Sequence, residues 1–194
     1  RFNYETRSAG LFILPVMSVL AIIAVFPILY SLYTSFFRLK LKRPDHVPFV
    51  WFDNYFEVLS DGLFWDSVMR TVSFTLMSVS AILVLGLLVA LLLNETFRGR
   101  RVISTIVLIP WAIPTVANGL LWKWIYDSGY GALNGLLLQL GLIEKYTTWL
   151  GDADRTLPLI ANAFVWKEVP LAAILILVTM KSIPADLYRA AKVD

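Results

Sequence analysis

The 194 residues contain no cysteine and one histidine, His46. The first absence excludes disulfides, thiolate ligands and a cysteine nucleophile; the second leaves histidine metal chemistry little to work with. Charge is scarce as well: 16% of residues are charged against 58% hydrophobic, and the mean hydropathy is +0.71. That is far more apolar than a soluble domain and puts the chain in a bilayer. The net charge is +3, but no basic cluster is interleaved with stacking aromatics, so nucleic-acid binding is not indicated. No Gly-x-x-x-x-Gly-Lys-Ser/Thr loop is present either, and no residue is positioned to hydrolyse ATP. A membrane-bound enzyme ranks last for the same reason: His46 sits in a loop with no nucleophile–base or metal set around it. The chain opens at Arg1, not Met, and reads as a trimmed segment of a longer polypeptide.

What the chain does have is long apolar runs. Residues 1–10 form a polar lead-in with Arg1 and Arg7, and no small-residue cleavage site follows the next run, so this is a cytoplasmic start and not a signal peptide. Runs at about 11–32, 68–93, 102–122 and 156–180 are each long enough to cross the hydrocarbon core as helices. Pro27 lies inside the first and should kink it, and Tyr30, Tyr33, Phe36 and Phe37 form an aromatic belt at its exit. Between the first two runs, Trp51, Phe52, Tyr55, Phe56 and Trp65 suit a helix at the interface. Small residues in the second run (Ser73, Thr75, Ser78, Ser80, Gly86) favour close helix packing. In the connection 123–155, Leu133, Leu136, Leu137 and Leu140 recur at helical spacing and predict a short amphipathic helix.

Three features carry functional expectations. Pro110 and Pro114, four apart in the third run, cannot both sit in a straight helix, so the break is either a gate facing a cavity or a kink that only shapes packing. In the fourth run Lys167 and Glu168 stand at membrane depth, where charges usually face the bundle interior or water. Being adjacent and about 100° apart on a helix, they should not form one local pair. Either one of them pairs with a neighbouring chain, or Asn162, Trp166, Lys167 and Glu168, with Asn118 and Trp122 of the third run, border a translocation path. The third feature is Ser182–Asp194, a polar segment in which Pro184 and Asp186 suit a first helical turn and Leu187, Ala190 and Ala191 share a small, mildly apolar face. The segments 1–10, 94–101 and 181–194 carry a modest excess of Lys and Arg, above all Arg98, Arg100 and Arg101 against Glu95, which puts the N-terminus inside and returns 182–194 to the cytoplasm.

Ser182-Ile183-Pro184 followed by Leu187-Tyr188-Arg189-Ala190-Ala191-Lys192-Val193-Asp194 resembles the start of the EAA loop of ABC importer permeases, which reads roughly Ile-Pro-x-x-Leu-Tyr-Glu-Ala-Ala-x-x-Asp-Gly. Arg189 stands where that family usually has Glu, and the chain ends before the Gly. Leu108 to Trp124 resembles the "LPW.IP..V....W.W.F" segment of the sugar-type members, Phe52 to Trp65 their "LDNY...L.D..FW", and Gly131 to Leu150 their "G.LN.LL..LG" and "WL". The resemblance implies an all-α polytopic transmembrane bundle. Four spans of a six-span permease core would lie in 11–180, with short interfacial helices, a cytoplasmic coupling helix beginning at 181–194, and the rest of the permease beyond this segment. It implies a subunit of an ATP-driven importer for a sugar or related polar solute in a bacterial or archaeal inner membrane. Leu187, Tyr188, Arg189, Ala190, Ala191 and Asp194 would couple it to two ATPase subunits that hold the ATP and Mg. A second permease, in a heterodimer, and an extracytoplasmic substrate-binding protein would complete the assembly, with no cofactor on this chain. The alternative reading is an ion-coupled transporter or channel in which Lys167 and Glu168 carry the coupling charge.

Overall fold

The computed structural model describes residues 12–40 and 47–184. The polar lead-in, His46 and the coupling segment from Ala185 onward fall outside the described residues. The chain forms two compact units, Arg1–Ser67 and Val68–Asp194.

In the first unit, α1 (Phe12–Ser35) is long and apolar enough to cross a membrane. Pro27 has no N–H to offer the carbonyl one turn back, and the helix answers with a π turn over Ala21–Val25, in which the Phe26 N–H reaches the Ala21 carbonyl. Beyond α1 the chain doubles back through an isolated bridge between Phe37 and Phe49 into α2 (Asp53–Ser60). Asn54 fastens this corner: its Nδ2 donates to the Ser35 and Phe37 carbonyls at 2.7 and 3.0 Å, two groups that the end of α1 leaves unpaired. The Tyr55 hydroxyl bonds Ser35 Oγ, and Phe36 packs its ring against Phe49, Phe52 and Tyr55. These aromatics close the corner by packing on one another. Trp51, on the turn between, takes φ 53°, a conformation that bulky residues rarely adopt. Asp61 then accepts from the Leu63 N–H at 2.9 Å and starts α3 (Gly62–Asn94), which runs on into the second unit.

The second unit contains the rest of α3 with α4 (Arg100–Ala112), α5 (Thr115–Ile125), α6 (Ala132–Gln139) and α7 (Ala153–Lys181). α3 and α7 run in the same direction: Phe74 meets Phe164 with ring centroids 5.6 Å apart, and further along Gly86 lies against Ala172. A Cβ on Gly86 would come within 3.1 Å of the Ala172 methyl, so the two backbones meet closely there.

α4 and α5 are bent by 95° at the proline pair. The two prolines do different things. Pro110 stays inside α4, whereas Pro114 forces the residue before it out of the helical region: Ile113 is extended at φ −73°, ψ 129°. The bent pair nevertheless advances along the whole of α7 in the opposite sense. Arg100 and Arg101 share a cavity with Lys181, Asn118 bonds the Ala163 carbonyl, and Tyr126 reaches the Leu159 carbonyl. From Leu159 to Lys181 an α-helix rises about 33 Å, which matches the hydrocarbon thickness. α4 and α5 are therefore one broken crossing and not a loop that re-enters and returns. With it, four segments among the described residues are long and apolar enough to cross a membrane.

Candidate functional site

α7 is continuous from Ala153 to Lys181 although it contains Pro158 and Pro170. Pro170 lacks the N–H that would bond the Trp166 carbonyl, so the ladder is open beside Lys167 and Glu168. α5 lies along the half of α7 nearer Ala153, and the residues with polar groups at this depth gather where the two helices touch.

Asn118 is 5% exposed; its Nδ2 donates to the Ala163 carbonyl at 3.3 Å, and its Oδ1 has no partner. One turn on, the Trp122 ring meets Trp166 edge-on at 5.7 Å and Tyr126 at 5.2 Å, while its Nε1 proton is buried without an acceptor. Tyr126, buried at the end of α5, accepts from Asn162 Nδ2 at 2.8 Å and points its own proton at the Leu159 carbonyl, 3.5 Å away. Asn118, Trp122, Asn162 and Trp166 thus belong to one aromatic–amide cluster. An unpaired acceptor and an unpaired donor stand on α5 at i and i+4, one face of the helix. A third orphan, the Ser78 hydroxyl, is buried on α3. Native interiors leave few such atoms without partners.

Lys167 and Glu168 correct an expectation. Adjacent residues on a helix diverge at Cβ, yet Lys167 Nζ and Glu168 Oε1 stand 3.4 Å apart and form an ion pair. The flexible stems of both side chains allow the heads to turn toward each other.

Gly119, Trp122, Lys123, Tyr126, Leu150, Leu159, Ile160 and Ala163 line a cavity of about 140 Å³ between α5 and α7. Sites for small molecules usually span about 300–1,000 Å³. At that size the recess has room for a few waters but not for a sugar ring. Among the described residues no group of three or more Asp, Glu or His is placed to hold a metal ion.

Sequence reasoning passed over two residues that organise this region. Tyr126 falls past the predicted third span, in the connection 123–155, with no sequence signal of its own, but its hydroxyl is the partner of Asn162. Asn134 is fully buried on α6, in the connection between α5 and α7, where all its polar capacity is used. Its Nδ2 donates to the Asp127 and Thr147 carbonyls at 3.2 and 3.0 Å, and its Oδ1 accepts from the Thr147 N–H at 3.0 Å and Trp149 Nε1 at 2.9 Å. The same connection is tightened by Asp127 Oδ1, which accepts from the Gly129 and Tyr130 N–H groups. A Cβ on Gly131 would overlap the Asp127 carbonyl oxygen.

A family model described as binding-protein-dependent transport system inner membrane component matches residues 82–194. The chain is 40% identical over 190 residues to the trehalose/maltose transport system permease protein MalF of Thermococcus litoralis, which covers 98% of this chain and 63% of that protein. It is 34% identical to the sulfoquinovosyl glycerol transport system permease protein SmoG of Agrobacterium fabrum, over 96% of this chain and 60% of that one. Its fold is similar to that of a chain in the crystal structure of a bacterial ABC transporter involved in the import of the acidic polysaccharide alginate, with a TM-score of 0.80 at 23% identity, over 98% of this chain and 63% of the other. The chain spans about three-fifths of the length of the relatives it matches.

Proposed function

The chain belongs to the binding-protein-dependent transport system inner membrane component family, a multi-pass membrane protein, and from that premise we propose that it forms part of the translocation path of an ATP-driven importer for a sugar or related polar solute. The observation that carries the path is the cluster between α5 and α7. Trp122 and Trp166 offer ring faces, and Asn118 and Trp122 offer an acceptor and a donor without partners. A polyhydroxylated solute presents the complementary groups: C–H faces for the rings and hydroxyls that both donate and accept. Asn162 joins the path once its bond to Tyr126 opens, and the break at Ile113, set by Pro114 with Pro110 behind it, lets α5 swing relative to α4 as the gate. Lys167 and Glu168 border the path as a self-neutralised pair.

A binding protein would deliver the solute on the Leu159 side of α7, and ATP with Mg would be consumed on two partner ATPase subunits. A second permease subunit, in a heterodimer, would complete the channel. Arg98, Arg100, Arg101 and Lys181 mark the other side as cytoplasmic, and hence the N-terminus as cytoplasmic too. There Leu187, Tyr188, Arg189, Ala190, Ala191 and Asp194 would dock on an ATPase. The contact of Lys167 with Glu168 speaks against the ion-coupled alternative, because a pair that cancels its own charge offers no site for a coupling ion.

Purification of the full-length chain from its native membrane under mild detergent tests the reading. An ATPase and a second permease should co-purify, and reconstituted uptake should need both ATP and the binding protein. Ala190→Trp should leave binding-protein docking intact and uncouple ATP hydrolysis from uptake. Uptake driven by an ion gradient in the absence of any ATPase would sink the proposal.

A further inference from the structure

At the Lys181 end of the second unit lies a cavity of about 470 Å³ lined by Phe97, Gly99, Arg100, Arg101, Ser104 and Lys181. Half of its lining residues are cations, and among the described residues none of the three takes part in an ion pair. Glu95 is the only acid in the connection between α3 and α4, and it does not line the cavity. Three like charges brought into one recess repel one another unless an anion sits among them. The positive end of the α4 dipole adds to the same field.

The surroundings narrow the kind of anion. Arg100 and Arg101 open α4 and Lys181 closes α7, so the recess stands at the end of two membrane-crossing segments, at the level of lipid headgroups. Ile103 lies one turn into α4 from Arg100, and Val178 one turn into α7 before Lys181; both are exposed, at 38% and 62%. Cations at the boundary with exposed apolar side chains just inside the hydrocarbon match a molecule that carries phosphate and acyl chain together.

We propose that this cavity is a binding site for an anionic phospholipid, its phosphate held by Arg100, Arg101 and Lys181 and its acyl chain laid along Ile103 and Val178. The site requires only that the chain is embedded in a membrane and is independent of the solute the transporter carries. By joining the start of α4 to the end of α7, a bound lipid would brace the half of the broken span on which the hinge at Ile113 turns.

The test uses the assembled transporter, offered phosphatidylglycerol and phosphatidylcholine in equal amounts, with retained lipid counted by native mass spectrometry. Wild type should keep phosphatidylglycerol in preference. Each cation at a membrane surface is worth about fivefold in affinity, so Arg100→Gln, Arg101→Gln and Lys181→Gln combined should weaken retention roughly a hundredfold. Arg98→Gln, a neighbouring charge that does not line the cavity, should leave it unchanged, and Arg100→Lys with Arg101→Lys, which keep the charge, should preserve most of it. Equal retention of the two lipids, or an unaffected triple variant, would overturn the proposal. Inorganic phosphate that displaces the lipid headgroup at millimolar levels, with no gain from an acyl chain, would overturn it in favour of a free-anion site. Loss of a partner subunit from the triple variant, with lipid retention unchanged, would mark the recess as a protein contact instead.

Discussion

Two regions within the second unit deal with buried polar atoms in opposite ways. On α6, in the connection between α5 and α7, Asn134 is fully enclosed and each of its polar atoms has two partners. Along the α5–α7 contact, Asn118 is nearly as enclosed but keeps one long hydrogen bond and an unpaired oxygen, and the Trp122 indole N–H has no acceptor at all. Both asparagines are buried, so burial alone does not tell structure from function; satisfaction does. A saturated amide fixes one arrangement of the chain, whereas an unsaturated one keeps capacity for something that comes and goes.

The largest effect should follow from breaking the saturated side. Asn134→Ala strips the partners from the Thr147 N–H, the Trp149 indole N–H and the Thr147 carbonyl, while the Asp127 carbonyl keeps only the Gly131 N–H. The loss should be about 3 kcal/mol or more, read as a large drop in the melting temperature of the assembled transporter in detergent. Gly131→Ala should cost a similar amount by a different route, because its Cβ collides with backbone rather than with a movable side chain. If either variant melts like wild type, the loop is not the rigid block that its hydrogen bonds describe.

Tyr126→Phe comes next and lies between the two regimes. It removes the acceptor of Asn162 Nδ2 and a weak contact to the Leu159 carbonyl, for an expected loss of about 1 kcal/mol. The freed Asn162 amide should also alter transport, since it no longer has to break a bond to reach a solute. A changed half-saturation constant for uptake with a small melting shift is the expected pattern; a melting shift as large as that of Asn134→Ala would mean that Tyr126 is structural.

How much of this was legible beforehand follows from contrast. Polar residues inside an apolar run stand out, so Asn162, Trp166, Lys167 and Glu168 were singled out from the sequence, and the proline pair announced a break. Asn134 falls among the leucines of the predicted amphipathic helix and inside the "G.LN" match, but neither says what its amide bonds; only the folded connection shows its four partners. Tyr126 is hidden because it falls past the apolar run that ends near Trp122, in a connection where a tyrosine hydroxyl needs no partner in the protein. The pairing of Lys167 with Glu168 was missed because helical geometry fixes where the Cβ atoms point, not where long flexible side chains end. Which of the two prolines breaks the helix also needed the structure: the rule that bends Ile113 applies to the residue before either proline, yet Ile109 remains helical.

On the unsaturated side, Asn118→Leu should separate stability from transport. The variant gives up one bond of 3.3 Å and no longer buries a lone acceptor, so its net stability change should be within about 1 kcal/mol of zero. Uptake should nonetheless fall, by about tenfold if the lost oxygen accepts one solute hydroxyl in the rate-limiting state. Uptake equal to wild type would remove Asn118 from the path.

The smallest stability effect belongs to Trp122→Phe, and it is the sharpest test of the comparison. The indole N–H has nothing to bond in this structure, so deleting it costs no hydrogen bond, and the phenyl ring can still meet Trp166 and Tyr126. What is lost is ring area, and what is gained is relief from an unsatisfied buried donor. The two nearly cancel, and the melting temperature should move by a degree or two in either direction. Transport should not be so indifferent. If the N–H meets a solute hydroxyl when the cavity opens, Trp122→Phe should raise the half-saturation constant while leaving ATP hydrolysis without solute unchanged. Trp122→Leu, which also removes the ring face, should go further. If Trp122→Phe leaves both melting and uptake as they were, the unpaired donor is only an imperfection of packing. The contrast between a saturated loop and a receptive helix contact would then rest on Asn118 alone.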